Sequence, residues 1–162
     1  MVKQKKSIIG LVAVLILVVL GGVLFVGAVS GWFDSPKVIL DAEYLCGDEC
    51  DGEFAELSAG EYDQLVADKK SFIVFVDQGG CTTADRLRGY VADFAKENGY
   101  RIYRMMFEDV RKSSLHEYVE FYPSVAMVSR GEVIANLRAD ADEDADAYND
   151  YDEFVEWIRR YL

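Results

Sequence analysis

Residues 8–29 read IIGLVAVLILVVLGGVLFVGAV, a run of 22 positions without a charged side chain. As a helix rising about 1.5 Å per residue, such a run crosses the roughly 30 Å hydrocarbon core of a bilayer. Lys3, Lys5 and Lys6 precede it, and the next basic residue is Lys37. Basic residues tend to stay on the cytoplasmic side, so residues 1–7 read as a cytoplasmic tail and the rest of the chain as extracytoplasmic. The run competes with a cleaved secretory signal, for which AVSG at residues 28–31 offers a small-x-small site. Secretory signals carry a shorter apolar region of about 7–15 residues, so the length favours a retained single-pass membrane anchor. Gly27 and Gly31 also spell a Gly-x-x-x-Gly pair, but at the membrane edge this reads as chance.

Beyond residue 31 the chain carries 14 basic and 29 acidic side chains, net −15. A nucleic-acid surface needs the opposite sign and is excluded as a partner. The charge favours solubility and repulsion from anionic lipid. All three cysteines, Cys46, Cys50 and Cys81, fall on the exported side, where disulfides persist. The odd number leaves at least one without a partner inside the chain.

Residues 30–53 read as a juxtamembrane linker and a cysteine loop. Trp32 and Phe33 suit the headgroup level, VILDAEYL (residues 38–45) reads as an edge strand, and CGDECDGE (residues 46–53) as loop. From residue 54 the pattern becomes regular. FAEL is a short strand, and SAGEYDQLVADKK a helix opened by a Ser58/Glu61 capping box. SFIVFV is apolar on both faces, as a central strand requires. CTTADRLRGYVADFAKENG carries a helical stripe through Leu87, Tyr90, Val91, Phe94 and Ala95, stopped at Asn98-Gly99. YRIYRMMFE is a further strand. SSLHEYVEFYP reads as a helix with a second capping box, Ser114/Glu117. SVAMVS and EVIANL form a hairpin about Arg130-Gly131, and YDEFVEWIRRYL closes the chain as an amphipathic helix with Phe154, Val155, Ile158 and Tyr161 inward. Strands alternating with helices imply parallel pairing, and the closing hairpin adds antiparallel strands.

This order resembles the thioredoxin-like superfamily, in a membrane-anchored bacterial form with a degenerate motif. The resemblance covers residues 54–162 and rests on three features. SFIVFV leads through a loop into Cys81 at a helix start; YPSV places Pro123 just before a strand; SVAMVSRGEVIANL matches the closing hairpin. It implies a mixed sheet flanked by helices, with Cys81 as the attacking cysteine and Pro123 as a cis-proline packed beside it. The resolving-cysteine position holds Ala84, so the motif is Cys-Thr-Thr-Ala, and Gly80 stands where thioredoxins often carry Trp. These departures argue against ordinary dithiol turnover.

A thiol at a helix N-terminus faces free backbone N–H groups and the positive dipole end, which favour the thiolate. Thr82 or Thr83 adds a hydroxyl donor there; Asp85 opposes by like charge, with Arg86 and Arg88 to offset it. A monothiol of this kind forms a mixed disulfide with protein thiols or glutathione, or oxidises to sulfenic acid. The competing reading is a small, inert residue at a helix start. Cys46 and Cys50, four apart, suggest a local disulfide; alternatively one of them resolves Cys81. Two cysteines fall short of a structural zinc site. His116 reads as a surface histidine, and Gly79-Gly80 as a strand-to-helix turn rather than a phosphate cradle, since no lysine follows at the required spacing. No cofactor is expected.

In the acidic stretch before the last helix, Asp142, Asp144, Asp146, Asp150 and Glu153 fall at positions 1, 3, 5, 9 and 12 of a calcium loop, but position 6 is Ala147 instead of Gly. The alternative is a solvated insertion in which Asn149 or Asp150 caps the helix. The combined expectation is an α/β thioredoxin-like domain on one N-terminal transmembrane helix. It either works as a monothiol through Cys81 or serves as a non-catalytic binding module in an envelope complex.

Overall fold

The computed structural model describes residues Pro36–Leu162, which form one compact unit. The anchor expected at residues 8–29 and its flanks lie outside the described residues. Among the described residues no helix is long and apolar enough to cross a membrane.

Five strands make one sheet: β1 (Ala55–Glu56), β2 (Phe72–Asp77), β3 (Tyr103–Met106), β4 (Ser124–Ser129) and β5 (Glu132–Asn136), in the order β1-β3-β2-β4-β5. β1, β3 and β2 run parallel, and β4 pairs antiparallel with both β2 and β5. β2 is central and every one of its residues is buried. Its side chains alternate between two cores, as the strand period demands. Ile73 and Phe75 face α2 (Thr82–Asn98) and α4 (Tyr151–Arg159), packing with Leu87, Val91, Phe94, Phe154, Trp157 and Ile158. Phe72, Val74 and Val76 face the other side, against Tyr62 of α1 (Ala59–Ala67) and Val110 of the one-turn α3 (Phe107–Val110). Each fully buried large apolar side chain contributes about 1.5–3 kcal/mol, so this two-sided burial defines the sheet.

The ends of the long helix follow local chemistry. The α1 capping box forms as the sequence suggests, Ser58 accepting from the Glu61 N–H and Glu61 accepting from the Ser58 N–H. α2 ends at Gly99, which is left-handed at φ 68°. A Cβ there would also lie 2.7 Å from the Gly47 Cα, so glycine serves both the conformation and the close approach.

Two expectations are corrected. Residues 38–45 do not form an edge strand. Val38 donates its N–H to the Tyr161 carbonyl, Ala42–Tyr44 makes a 3-10 turn, and Tyr44 is buried in the core beside α1. Asp41 donates its N–H to the Ser71 carbonyl and the Tyr44 carbonyl accepts the Arg101 N–H, so the segment becomes a strap that belongs to the folded unit from Pro36 onward. The helix expected over residues 113–123 reduces to a 3-10 turn, Ser114–Glu117, capped by Ser113 rather than Ser114. The reason is tertiary: Asp63 of α1 accepts both the backbone N–H (2.9 Å) and the hydroxyl (2.7 Å) of Ser114, which removes that hydroxyl from a capping box. In α4, Trp157 joins the inward face beside Phe154, Val155 and Ile158.

Candidate functional site around Cys81 and Pro123

β2 ends at Asp77 and passes through a turn in which Gly80 takes φ 75° to reach Cys81, the N-cap of α2. Cys81 is the free cysteine among the described residues and is half-buried. On the neighbouring strand Val76 pairs with Ser124, so Pro123 stands level with Asp77, at the mouth of the turn that carries the thiol. The Tyr122–Pro123 peptide bond is cis. Cys81, Thr83, Tyr122, Pro123, Tyr148 and Asn149 line one depression of about 320 Å³. Thr82 is exposed and does not line it, and neither threonine hydroxyl bonds to the cysteine sulfur. Ala84 is fully buried, so the position of a missing second thiol points into the core.

Cys46 and Cys50 form a disulfide with their Cα atoms 5.4 Å apart. Its place decides between the two sequence readings. The N–H groups of Cys46 and Gly47 donate to the Gly99 carbonyl, at the C-terminal end of α2. Cys81 sits at the other end of that 17-residue helix, about 25 Å away. The pair therefore staples the far end of the helix and is out of reach of Cys81 within the folded unit.

Tyr148 and Asp77, which the sequence did not single out, complete the site together with Arg86 and Arg88. The Tyr148 hydroxyl is buried, 2.9 Å from the Pro123 carbonyl oxygen and 3.0 Å from that of Leu137. It ties the cis-proline turn to the end of β5. Burial, with Asp144 and Asp140 adding, pushes the phenol well above its ordinary value, so it remains a hydrogen-bond donor rather than a base. Behind the thiol turn, Arg88 bridges Asp77 at the end of β2 and Asp85 in the first turn of α2. The Asp77 hydrogen bond raises the guanidinium above its already high value. Arg86 reaches the Asn149 side chain at 2.8 Å and holds the acidic segment against the helix start. The one sequence signal for these groups was charge: Arg86 and Arg88 were expected to offset Asp85. Tyr148 carried no signal beyond being an aromatic residue inside an acidic loop.

The five calcium-loop candidates do not converge. Asp144 accepts the Arg138 N–H, and Asp150 caps α4 by accepting from Asp152 and Glu153. Asp142 and Asp146 open separate 3-10 turns. Among the described residues no group of three or more His, Cys, Asp or Glu side chains is arranged to hold a metal ion. His116 lies with Nδ1 against the Ser113 carbonyl, away from Cys81 in the chain and absent from its depression.

The fold is thioredoxin-like, a mixed sheet flanked by helices, with a cysteine at a helix start that shares a depression with a cis-proline. No family model matches the chain, and no curated protein does. Solved structures do. A mutant thioredoxin from Halobacterium salinarum NRC-1 superposes with a TM-score of 0.53 at 15% identity, covering 71% of this chain and 96% of that one. Oxidised thioredoxin from Plasmodium falciparum gives 0.51 at 13% identity, covering 67% and 97%. Thioredoxin f from spinach chloroplast, long form, gives 0.50 at 13% identity, covering 69% and 88%. At these identities the likeness is one of fold.

Proposed function

We propose that the chain is an extracytoplasmic thioredoxin-fold protein, held to the membrane by residues 8–29, that engages partner proteins covalently through Cys81. The observation that carries this reading is that the free cysteine and the cis-proline share one open depression. Among the described residues the Tyr122 N–H and C=O make no hydrogen bond, so an extended partner segment can pair with them beside the thiol. In the covalent step the Cys81 thiolate attacks one sulfur of a partner disulfide. A new Cys81–sulfur bond forms as the partner S–S bond breaks, and the other partner sulfur leaves as a thiolate that takes up a proton. Release requires a second thiolate, from glutathione or another protein, because Ala84 supplies none.

The test is trapping. The full chain, in detergent, is incubated with glutathione disulfide and with a disulfide-bonded protein; a mixed disulfide should form and Cys81→Ser should abolish it. A Cys81 that resists alkylation in the folded protein overturns the reading. That result favours the second one, a non-catalytic binding module, which is supported by the buried Ala84 and the remote Cys46–Cys50 pair. The anchor is tested separately: protease added outside sealed cells should digest residues 36–162 while residues 1–7 stay protected.

A further inference from the structure

The segments that carry Pro123 and Ala139 of the Cys81 depression also line a second, separate depression of about 310 Å³, through residues 117–121 and 136–140. Tyr122, Pro123 and Ala139 belong to the first, Tyr118, Phe121 and Arg138 to the second. Tyr118 and Phe121 are 51% and 46% exposed, two of the four large hydrophobic side chains so exposed among the described residues. They lie on one short segment. Water-exposed aromatic area of this kind, rimmed by charge, is what an interface anchor occupies. The rim has one sign: Glu117 and Glu120 are exposed and, among the described residues, in no ion pair, while Arg138 is already matched by Asp140 at 2.9 Å.

We propose that this second depression is a docking groove for an extended, basic, apolar-containing segment of a partner protein, and that Glu117, Glu120, Tyr118 and Phe121 select it. Charge complementarity commits the occupant. An acidic segment, an anionic lipid surface or a second copy of this strongly acidic domain would meet like charge. Lysine or arginine side chains would pair with the two free carboxylates, and their neighbours would cover the aromatic rings. The groove is separate from the site proposed above and needs no covalent step, so it stands under either reading of Cys81.

The test measures binding by the full chain in neutral detergent, carrying Cys81→Ser so that only non-covalent affinity is read. The probe is a fluorescent, cysteine-free nine-residue peptide alternating lysine with leucine or phenylalanine, beside its glutamate counterpart. The lysine peptide should bind and the glutamate peptide should not. The double change Glu117→Lys/Glu120→Lys should weaken binding by about tenfold or more, and Phe121→Ala by about fivefold. A control reversal at the far end of α2, Asp48→Lys/Glu49→Lys, should change it less than about twofold. The inference is overturned if the lysine peptide does not bind, if both peptides bind alike, or if the two reversals weaken binding equally. Trapping with Cys81 intact reads the thiol chemistry independently, so either idea can fail alone.

Discussion

Arg88 grips Asp77 through two hydrogen bonds, Nε to Oδ2 at 3.0 Å and Nη2 to Oδ1 at 2.8 Å, while Asp77 is only 2% exposed. The same guanidinium holds Asp85 at 2.7 Å. One side chain thus joins the last residue of the central strand to the first turn of the helix that Cys81 caps, and braces the turn between them.

Cutting this brace should be costly. Arg88→Ala leaves Asp77 buried with only the Arg104 guanidinium, 3.8 Å away. Removing one partner of a buried pair costs about 3–5 kcal/mol, and the 30% exposure of Arg88 reduces this, so we expect about 2–3 kcal/mol by urea unfolding. Lys112→Ala, which removes an exposed pair with Asp109, should cost less than about 0.5 kcal/mol. Equal losses for the two variants would contradict the bracing role.

Ala84→Cys should add turnover to the trapping proposed for Cys81. Residues three apart on a helix start bring their Cβ atoms to about 5–6 Å, close enough for a disulfide after small adjustment. The new thiolate would attack the mixed disulfide on Cys81, releasing the partner as a thiol. Insulin-type disulfide reduction with dithiothreitol as reductant should rise from background to measurable turnover. Persistent mixed disulfide in this variant would show that the buried Ala84 site denies the second thiol access.

Losing the Cys46–Cys50 bridge should affect stability and leave the thiol site alone. The sequence separation is 4, and closing so short a loop is worth about 2 kcal/mol in the chain-entropy account. Cys46→Ser/Cys50→Ser should lower the urea midpoint accordingly, with the alkylation rate of Cys81 unchanged. A changed rate would mean that the far end of α2 communicates with its start.

The α1 capping box should add acid sensitivity. Hydrogen bonds from Ser58 hold the Glu61 carboxyl below its ordinary value of 4.5. A depressed carboxyl contributes stability that is present above 4.5 and lost as pH falls through the folded-state value. Glu61→Gln should therefore lower stability at pH 7, and the gap to the parent chain should close under acid. A gap of constant size across that range would assign the effect to lost packing instead.

Much of the architecture was legible in the chain because periodicity records burial. SFIVFV, apolar from Phe72 onward, suits a strand covered on both faces, and β2 at Phe72–Asp77 is that strand. The Ser58/Glu61 and Asn98-Gly99 signals are local, and both act where they were read. Ser114 shows the limit. It has the same capping-box spacing to Glu117, but Asp63, fifty-one residues earlier, takes its hydroxyl. VILDAEYL has strand composition, yet its N–H groups at Val38 and Asp41 bond to the carbonyls of Tyr161 and Ser71 instead of a sheet edge.

For the site, the sequence by itself determined that a lone cysteine caps a helix after a buried strand, that its neighbour at the resolving position is alanine, and that the domain is acidic. These depend on residue identity and short-range spacing. The resemblance already implied Pro123 beside Cys81; tertiary structure alone decided that Tyr148 ties the proline turn to β5 and that the Cys46–Cys50 bridge lies a whole helix away. Such facts depend on strand register and on which end of α2 each loop reaches, and pairwise distances across a fold are not written in local periodicity.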